Sequence, residues 1–401
     1  MSRSDTPLSD STFRPSAEPS GTTAPGFEAV RDVLAQQVAA GAEVGASVAA
    51  SLDGEVVVDL WAGSLDAAGT RPWTADTVVN VWSISKVVSA IAVLHLIGRG
   101  LVDASAPLSR YSDRFDRPAL REITVDQALS HSAGIPGWNQ PFDIDTFYDW
   151  DASGDALAQV EPWWEPGTAS GYHVASYGRL LGEVIERASG LRPKDYLAEH
   201  IAGPLDADFT FGLAEAATDR AAELLPPSRV RIPTAPDFDR TMLRKAFGAP
   251  AMTVDLAMTP QWRAADLGAV NGHGNARSIL RIAQSLQAGS PLLADAVAED
   301  AFRRRVSGVD NVLGTPLTWG AGIALADASG PFGFLPAGRI GVWGGWGGSL
   351  VVIDRSRRLT IAYAMNRMQD DLIGSPSARA YVEEIYRAVD PAALAAVQSS
   401  S

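Results

Sequence analysis

A strongly apolar segment that contains a lysine is the feature that most constrains this chain. It runs from Val81 to Ile97 and is followed by Gly98 and Gly100, and glycine readily takes the left-handed conformation that ends many helices. A helix that is apolar on nearly all sides is a buried one. Lys86 lies inside this segment, and a buried ammonium must find a partner or lose its proton. The segment therefore predicts a central helix that holds a lysine with an altered pKa.

Ser83 lies three residues before Lys86, so both side chains leave the helix from one face, about one turn apart. Besides Lys86, the chain has only Lys194 and Lys245 as lysines, and its other cations are arginines, which keep their proton in proteins. A serine at a helix start also gains from the helix dipole when negative charge develops. The pair is typical of a nucleophile with its base, although the spacing alone also arises by chance.

The composition excludes several classes of function. The chain has 401 residues, of which 46% are hydrophobic and 20% charged, which is typical of a globular protein with one large or two closely packed domains. A net charge of −14 argues against nucleic acid or an anionic membrane as the partner. There is no cysteine, which excludes disulfides, thiol catalysis and cysteine-bound metal.

The N-terminal segment predicts a tail. Residues 1–25 are rich in Ser, Thr, Pro and Gly and contain no apolar run, a composition typical of disorder and not of a signal peptide or anchor. The apolar run 87–97 is too short to span a bilayer. We therefore expect a cytoplasmic protein with no membrane partner.

Strand patterns occupy both ends of the chain. The β-rich runs 44–52 and 55–63 flank Asp53-Gly54, which predicts a hairpin, and a short run at 77–80 leads to Ser83. Strand patterns return after about residue 315, and an amphipathic helix at 377–389 closes the fold.

The region between these ends has helical patterns separated by proline and glycine. We predict an α/β (α+β) fold with an antiparallel sheet built from both termini and flanked by helices. Residues 26–100 and 310–392 would form this sheet domain, and residues 101–309 a mainly helical inserted domain. The active site is expected in the cleft between the two.

Two more segments could complete a site around Ser83. Tyr172 follows a Pro-Gly-Thr turn, and a phenol held near a lysine can act as base and then as acid; a packing role in the core or at its rim is the alternative. The strand at 341–349 is dense in glycine, which lets a backbone or ligand approach closely. A free N–H there, opposite that of Ser83, would form an oxyanion hole; a glycine-rich turn is the alternative.

In this order, the three segments resemble those of the serine β-lactamase-like superfamily, which includes class C β-lactamases, penicillin-binding proteins and family VIII carboxylesterases. Ser83 and Lys86 match its Ser-x-x-Lys motif, and Tyr172 lies four residues after Pro-Gly-Thr, as in the family. Residues 123–136, which include Ser130-His131-Ser132, are also similar to a family segment. The resemblance covers roughly residues 28–390 and implies a β-lactamase/transpeptidase-like fold.

Two departures from the β-lactamase pattern point towards esters. The chain has Tyr172-His173-Val174 where those enzymes have Tyr-x-Asn, and Trp343-Gly344-Gly345 where they have Lys-Thr-Gly or His-x-Gly. The second change removes the cation that faces a substrate carboxylate and is similar to the family VIII pattern, although Arg339 shares strand parity with Trp343. The resemblance implies a carboxylesterase for short-chain or bulky-alcohol esters. A β-lactamase, a D-aminopeptidase or D,D-peptidase, an acyltransferase and a non-catalytic penicillin-recognising protein are the alternatives.

The resemblance also implies the roles of the site residues. Ser83 would form the acyl-enzyme, and Lys86 and Tyr172 would share its proton, with the formal base left open. The backbone N–H groups of Ser83 and Trp346 would form the oxyanion hole. The expected substrate-binding residues are Trp343, Gly344, Gly345, His173 and Trp138. No two histidines have metal-ligand spacing, so we expect no metal and no cofactor. A small-molecule ester is the expected partner, and a homo-oligomer is left open.

Overall fold

The computed structural model of the chain describes residues 18–232 and 234–399. Its strands, in chain order, are β1 (Ser20–Thr23), β2 (Gly45–Leu52), β3 (Glu55–Gly63), β4 (Val79–Asn80), β5 (Thr210–Phe211), β6 (Gly272–Gly274), β7 (Val306–Val309), β8 (Pro316–Trp319), β9 (Ala324–Leu325), β10 (Ile340–Gly344), β11 (Leu350–Asp354) and β12 (Leu359–Met365).

The α-helices, also in chain order, are α1 (Glu28–Ala39), α2 (Ile84–Gly98), α3 (Val125–Leu129), α4 (Ile144–Tyr148), α5 (Trp150–Leu157), α6 (Ser176–Ser189), α7 (Pro193–Leu197), α8 (Thr241–Phe247), α9 (Pro260–Ala264), α10 (Ala276–Ala283), α11 (Asp295–Ala301), α12 (Pro376–Val389) and α13 (Pro391–Gln398). Short 3₁₀ turns lie between several of them.

A nine-stranded antiparallel sheet forms the centre of the fold, in the order β1-β3-β2-β12-β11-β10-β9-β8-β7. The pairing of β2 with β12 joins the N-terminal strands to the C-terminal ones. Both strands are buried along nearly their whole length, which is expected of strands covered on both faces. The prediction of an antiparallel sheet built from both ends and flanked by helices is confirmed, and so is the hairpin at Asp53-Gly54.

The predicted disordered tail needs one correction. Ser20–Thr23 forms β1, which pairs with β3 at the edge of the sheet, and Arg31 of α1 donates hydrogen bonds to the carbonyls of Pro19 and Gly21. Backbone pairing does not depend on an apolar side chain, so composition did not reveal this strand. Residues 1–17 of the predicted tail lie outside the described residues.

The run predicted as a strand before Ser83 belongs to a second sheet. β4 pairs with β6, and β6 pairs with β5, so this sheet of three strands draws two of them from the region predicted to be mainly helical. Through β6, the chain directly before Ser83 is hydrogen-bonded to residues 272–274. The division into domains stays a prediction. No helix within the described residues combines the length and apolarity needed to cross a membrane.

The predicted central helix is α2. Most of its residues are buried, including Lys86, and it packs against α6 on one side and near β10 on another. Its C-terminal end is followed by Gly100 with φ +69°, the left-handed conformation expected of the glycine. α2 therefore contacts both the large sheet and a helix of the region predicted to be mainly helical.

Candidate active site

Ser83 occupies the N-cap position of α2, but its hydroxyl makes no capping hydrogen bond to the helix. The Oγ atom instead contacts Lys86, whose Nζ lies 3.0 Å away. Lys86 Nζ also donates to the carbonyl of Ala269 at 3.0 Å. The helix thus fixes the serine and lysine on one face, as their spacing predicted.

Lys86 is a buried amine without an ionic partner. Its side chain forms no ion pair with a carboxylate in the described part of the chain, and burial lowers the pKa of Lys86 well below its usual value. A neutral amine at this position can accept the Ser83 proton, which an ammonium could not do. Burial therefore favours the neutral form of Lys86, which is the form that a general base needs.

Tyr172 is buried beside this pair. Lys86 Nζ lies 4.8 Å from the centroid of its ring. Burial raises the pKa of Tyr172, and the nearby Ser83 hydroxyl and Trp343 indole oppose this shift only in part. The phenol is therefore protonated at neutral pH, and it lies beside an amine whose neutral form is favoured by burial.

The glycine-rich turn between β10 and β11 approaches the chain just before Ser83. A Cβ atom on Gly345 would lie 2.2 Å from the carbonyl oxygen of Val81, so a residue other than glycine would displace the turn. Neither the Ser83 N–H nor the Trp346 N–H donates to an acceptor among the described residues. Both groups remain available to an oxyanion, as the predicted oxyanion hole requires.

Trp82, directly before the nucleophile, has a strained backbone. Its φ of +47° is uncommon for a bulky residue, and such strain persists only where the surroundings enforce it. The Trp82 ring packs 4.9 Å from that of Trp346 and 5.5 Å from that of Trp262, measured between ring centroids. This aromatic packing holds the backbone turn that presents Ser83.

A cavity of about 200 Å³ opens over Ser83. None of the described residues that line it carries a charge, and Ser83 and Tyr172 supply its hydroxyl groups. The lining residues are Trp82, Ser83, Tyr172, Val174, Val230, Phe247, Met252, Val270, Trp343, Gly344, Trp346, Leu372 and Ile373. A predominantly apolar pocket with a few convergent polar groups is typical of a binding site for a small organic molecule.

The structure separates the predicted substrate-binding residues into two groups. Trp343 and Gly344 line the cavity. Gly345 does not, because it lies against Val81. His173 and Trp138 are not among the residues that line the cavity, so a substrate-binding role for either stays a prediction.

Both of these side chains serve the local packing. His173 is fully buried. Its Nε2 accepts a hydrogen bond from the N–H of Ile135, and its Nδ1 donates one to the carbonyl of Gly171. The indole of Trp138 donates to the carbonyl of Ser153 and stacks on Phe142. Adjacency to Tyr172 in the sequence did not indicate the direction in which the His173 ring points.

Arg339 does not supply a cation to the cavity. It precedes β10, its side chain is 41% exposed, and it forms an ion pair with Glu299. Glu299 in turn pairs with Arg355 at 3.1 Å. The position that carries a lysine or histidine in β-lactamases is thus uncharged here, and the nearby arginine is engaged elsewhere.

Much of the cavity wall was not predicted from the sequence. Val230, Phe247 and Met252 come from residues 226–252, which we call the strap, and Leu372 and Ile373 come from the loop after β12. Isolated bridges join Leu225, directly before the strap, to Arg367 of this loop, and Arg231 of the strap to Asp371. Apart from the short helix α8, these segments carry no periodicity that would reveal their partners. No cluster of ligands suited to a metal ion occurs among the described residues.

Comparisons of the sequence with known proteins identify a family and several relatives. Residues 30–383 match the family model described as Beta-lactamase. Esterase EstB of Burkholderia gladioli is 26% identical over 357 residues, or 82% of this chain and 88% of that protein. Esterase/beta-lactamase LipL of Mycobacterium tuberculosis is 32% identical over 188 residues, which cover 46% of this chain and only 43% of LipL.

A solved structure of a related enzyme is similar to this chain over nearly its whole length. The crystal structure of a family VIII carboxylesterase superposes with a TM-score of 0.84 at 34% sequence identity, covering 92% of this chain and all of that one. The match to the family model spans well over half of the chain. The chain therefore belongs to the Beta-lactamase family and has its β-lactamase/transpeptidase-like fold.

Proposed function

We propose that this protein is a serine hydrolase that cleaves neutral carboxylic esters through an acyl-enzyme on Ser83. The observation that carries the proposal is that Ser83, which lines an uncharged cavity, contacts a buried Lys86 that forms no ion pair within the described residues. The likeness to EstB and to a family VIII carboxylesterase supports the same class of substrate.

In the proposed reaction, the Ser83 hydroxyl gives its proton to the neutral amine of Lys86 while Oγ bonds to the ester carbonyl carbon. The Ser83 and Trp346 N–H groups stabilise the negative oxygen that results. The carbon–oxygen bond to the alcohol then breaks, and the alcohol leaves with a proton from the Lys86 and Tyr172 pair. Water attacks the acyl-enzyme by the same route and releases the acid. The opposite pKa shifts of the two groups favour Lys86 as the first acceptor and Tyr172 as a donor.

The first experiment is to trap the acyl-enzyme with p-nitrophenyl butyrate and locate it by intact mass spectrometry and peptide mapping. We expect a butyryl adduct on Ser83 in the wild-type protein and, in Ser83→Ala, neither adduct nor turnover above background. Ser89→Ala is the matched control, since Ser89 is buried in the same helix and contacts Gly268 instead of the cavity. An adduct on another residue, or turnover in Ser83→Ala, would refute the proposal.

The uncharged cavity predicts strong discrimination against an anionic acyl group. We expect kcat/KM for p-nitrophenyl butyrate to exceed that for mono-p-nitrophenyl succinate, which ends in a carboxylate, by at least about 10²-fold, because an unpaired charge is costly to desolvate. Spontaneous hydrolysis of both esters provides the correction for intrinsic reactivity. Equal kcat/KM values would mean that the carboxylate finds a cation, and would favour a β-lactamase or peptidase over an esterase.

A further inference from the structure

The buried His131 lies behind Tyr172 and has no role in the reaction described above. It belongs to the Ser130-His131-Ser132 segment, and its side chain is only 1% exposed. Its ring centroid lies 5.0 Å from that of Tyr172 and 4.3 Å from that of Trp319. The residue therefore contacts the catalytic phenol on the side away from the substrate cavity, whose lining does not include it.

Three consecutive backbone amides around Tyr172 are held by two residues that are distant in sequence. The N–H of Gly171 donates to the carbonyl of His131 at 3.0 Å. The N–H of Tyr172 donates to Oδ1 of Asp310 at 2.9 Å. The N–H of His173 donates to Nδ1 of His131 at 3.1 Å. The backbone that carries the phenol is thus fixed from both sides.

The hydrogen bond from His173 defines the state of the His131 ring. Because Nδ1 accepts a hydrogen bond, it carries no hydrogen, and the ring must be neutral with its hydrogen on Nε2. Burial also holds the pKa of His131 well below its usual value. The His131 backbone has φ +59°, a left-handed conformation in which histidine and asparagine are enriched among non-glycine residues. This conformation allows the carbonyl and the ring of one residue to serve two amides.

Asp310 supports the same loop from the other side. It is fully buried and contacts no cation in the described part of the chain. Its Oδ2 accepts from the Ser170 hydroxyl at 2.9 Å, and its Oδ1 also accepts from the amides of Val312 and Leu313. These hydrogen bonds satisfy a carboxyl group that would otherwise be costly to bury. Asp310 thus joins the Tyr172 loop to the segment after β7.

We propose that His131 and Asp310 are positioning residues, which fix the Gly171–His173 backbone and thereby set the Tyr172 hydroxyl for proton transfer with Ser83 and Lys86. The inference rests on the proposed function. A displacement of about 1 Å in a catalytic group can cost about 10²-fold in rate. The two residues act through Tyr172 and do not contact the substrate cavity.

The first test compares His131→Leu with His131→Asn on p-nitrophenyl butyrate. Leucine has no acceptor for the His173 N–H, whereas asparagine offers Oδ1 and tolerates the left-handed backbone. We expect His131→Leu to lower kcat by about 10²-fold, with KM changed by less than about threefold. His131→Asn should recover at least about tenfold of this loss. Equal kcat in His131→Leu and wild type would overturn the inference.

Asp310 permits a parallel comparison. Asp310→Asn keeps Oδ1 as an acceptor for Tyr172 and can donate to the Ser170 hydroxyl, whereas Asp310→Ala leaves the Tyr172 N–H without its partner. We expect Asp310→Asn to remain within about threefold of the wild-type kcat and Asp310→Ala to fall by about 10²-fold. Equal losses in both variants would show that charge, and not the position of Tyr172, is what Asp310 supplies.

A double-mutant cycle separates positioning from a general loss of structure. His131→Leu is combined with Tyr172→Phe, and single-turnover acylation of Ser83 is followed by intact mass over hours. If His131 acts through the Tyr172 hydroxyl, its replacement should cost less than about threefold in the Tyr172→Phe background. The same loss in both backgrounds would overturn the inference. A wild-type protein that leaves the ester uncleaved would instead refute the proposed function itself.

Discussion

Replacement of Lys86 by methionine is expected to lower kcat on neutral esters by roughly 10³-fold or more while the fold remains intact, because a general base contributes about 10² to 10⁴-fold. The lysine is buried, has no ionic partner among the described residues, and donates hydrogen bonds from Nζ to Ser83 and Ala269. A neutral lysine and a methionine are similar in length and neither carries a charge. The loss of rate therefore reports the missing proton acceptor and not a collapse of the core.

Lys86→Arg gives the opposing comparison. Arginine keeps a positive charge but cannot accept a proton in a protein. We expect the same loss of kcat as in Lys86→Met, together with a lower stability to urea, because a guanidinium would be buried without a carboxylate partner. Steady-state kinetics and equilibrium unfolding of both variants measure the two effects. Activity close to wild type in Lys86→Arg would mean that Lys86 acts as a charge, and its role as base would have to be abandoned.

The parts of the fold that the sequence predicted are those that depend on local patterns. α2 was recognisable because it is apolar on nearly every face, and the β2–β3 hairpin because Asp53-Gly54 separates two strand patterns. β1 was missed because edge pairing uses the backbone, and β4 was assigned to the wrong sheet because its partner β6 lies almost two hundred residues further along the chain.

The site also contains residues that local spacing predicts and residues that only the tertiary fold brings together. Ser83 and Lys86 lie one helical turn apart, so their contact follows from spacing alone. Tyr172 reaches them only through the tertiary fold, and a motif was needed to identify it. His173 was predicted to bind substrate because it adjoins Tyr172, whereas the structure shows its ring in hydrogen bonds with the backbone. The strap residues that form the cavity wall carry no chemical signature and emerge only from the folded chain.

A second large effect is expected at Glu43, far from the chemistry of Ser83. This carboxyl group is 1% exposed, and its Oε1 accepts a hydrogen bond from the Tyr363 hydroxyl. Its Oε2 has no hydrogen-bond partner among the described residues. Burial raises the pKa of Glu43 from 4.5 to about 8, although the Tyr363 hydrogen bond opposes the shift. The folded protein therefore holds a proton at Glu43 that the unfolded chain releases at a lower pH.

This proton gives the stability a defined dependence on pH. Between pH values near 4.5 and 8, the folded state binds more protons at Glu43 than the unfolded state does, so the contribution of this group makes the protein less stable as the pH rises. Glutamine keeps the acceptor for Tyr363 and cannot ionise. We therefore expect the free energy of unfolding of Glu43→Gln, relative to wild type, to increase by roughly 3 kcal/mol between pH 5 and pH 8.

Urea unfolding of both proteins across this pH range measures the difference directly, because every other titrating group is common to the two. Glu55→Gln, at an exposed position, controls for the loss of one negative charge. A difference between Glu43→Gln and wild type that does not change with pH would show that Glu43 is ionised in the folded protein. The site would then need a cation, and Arg367, whose charge already lowers the pKa of Glu43, would be the group to replace next.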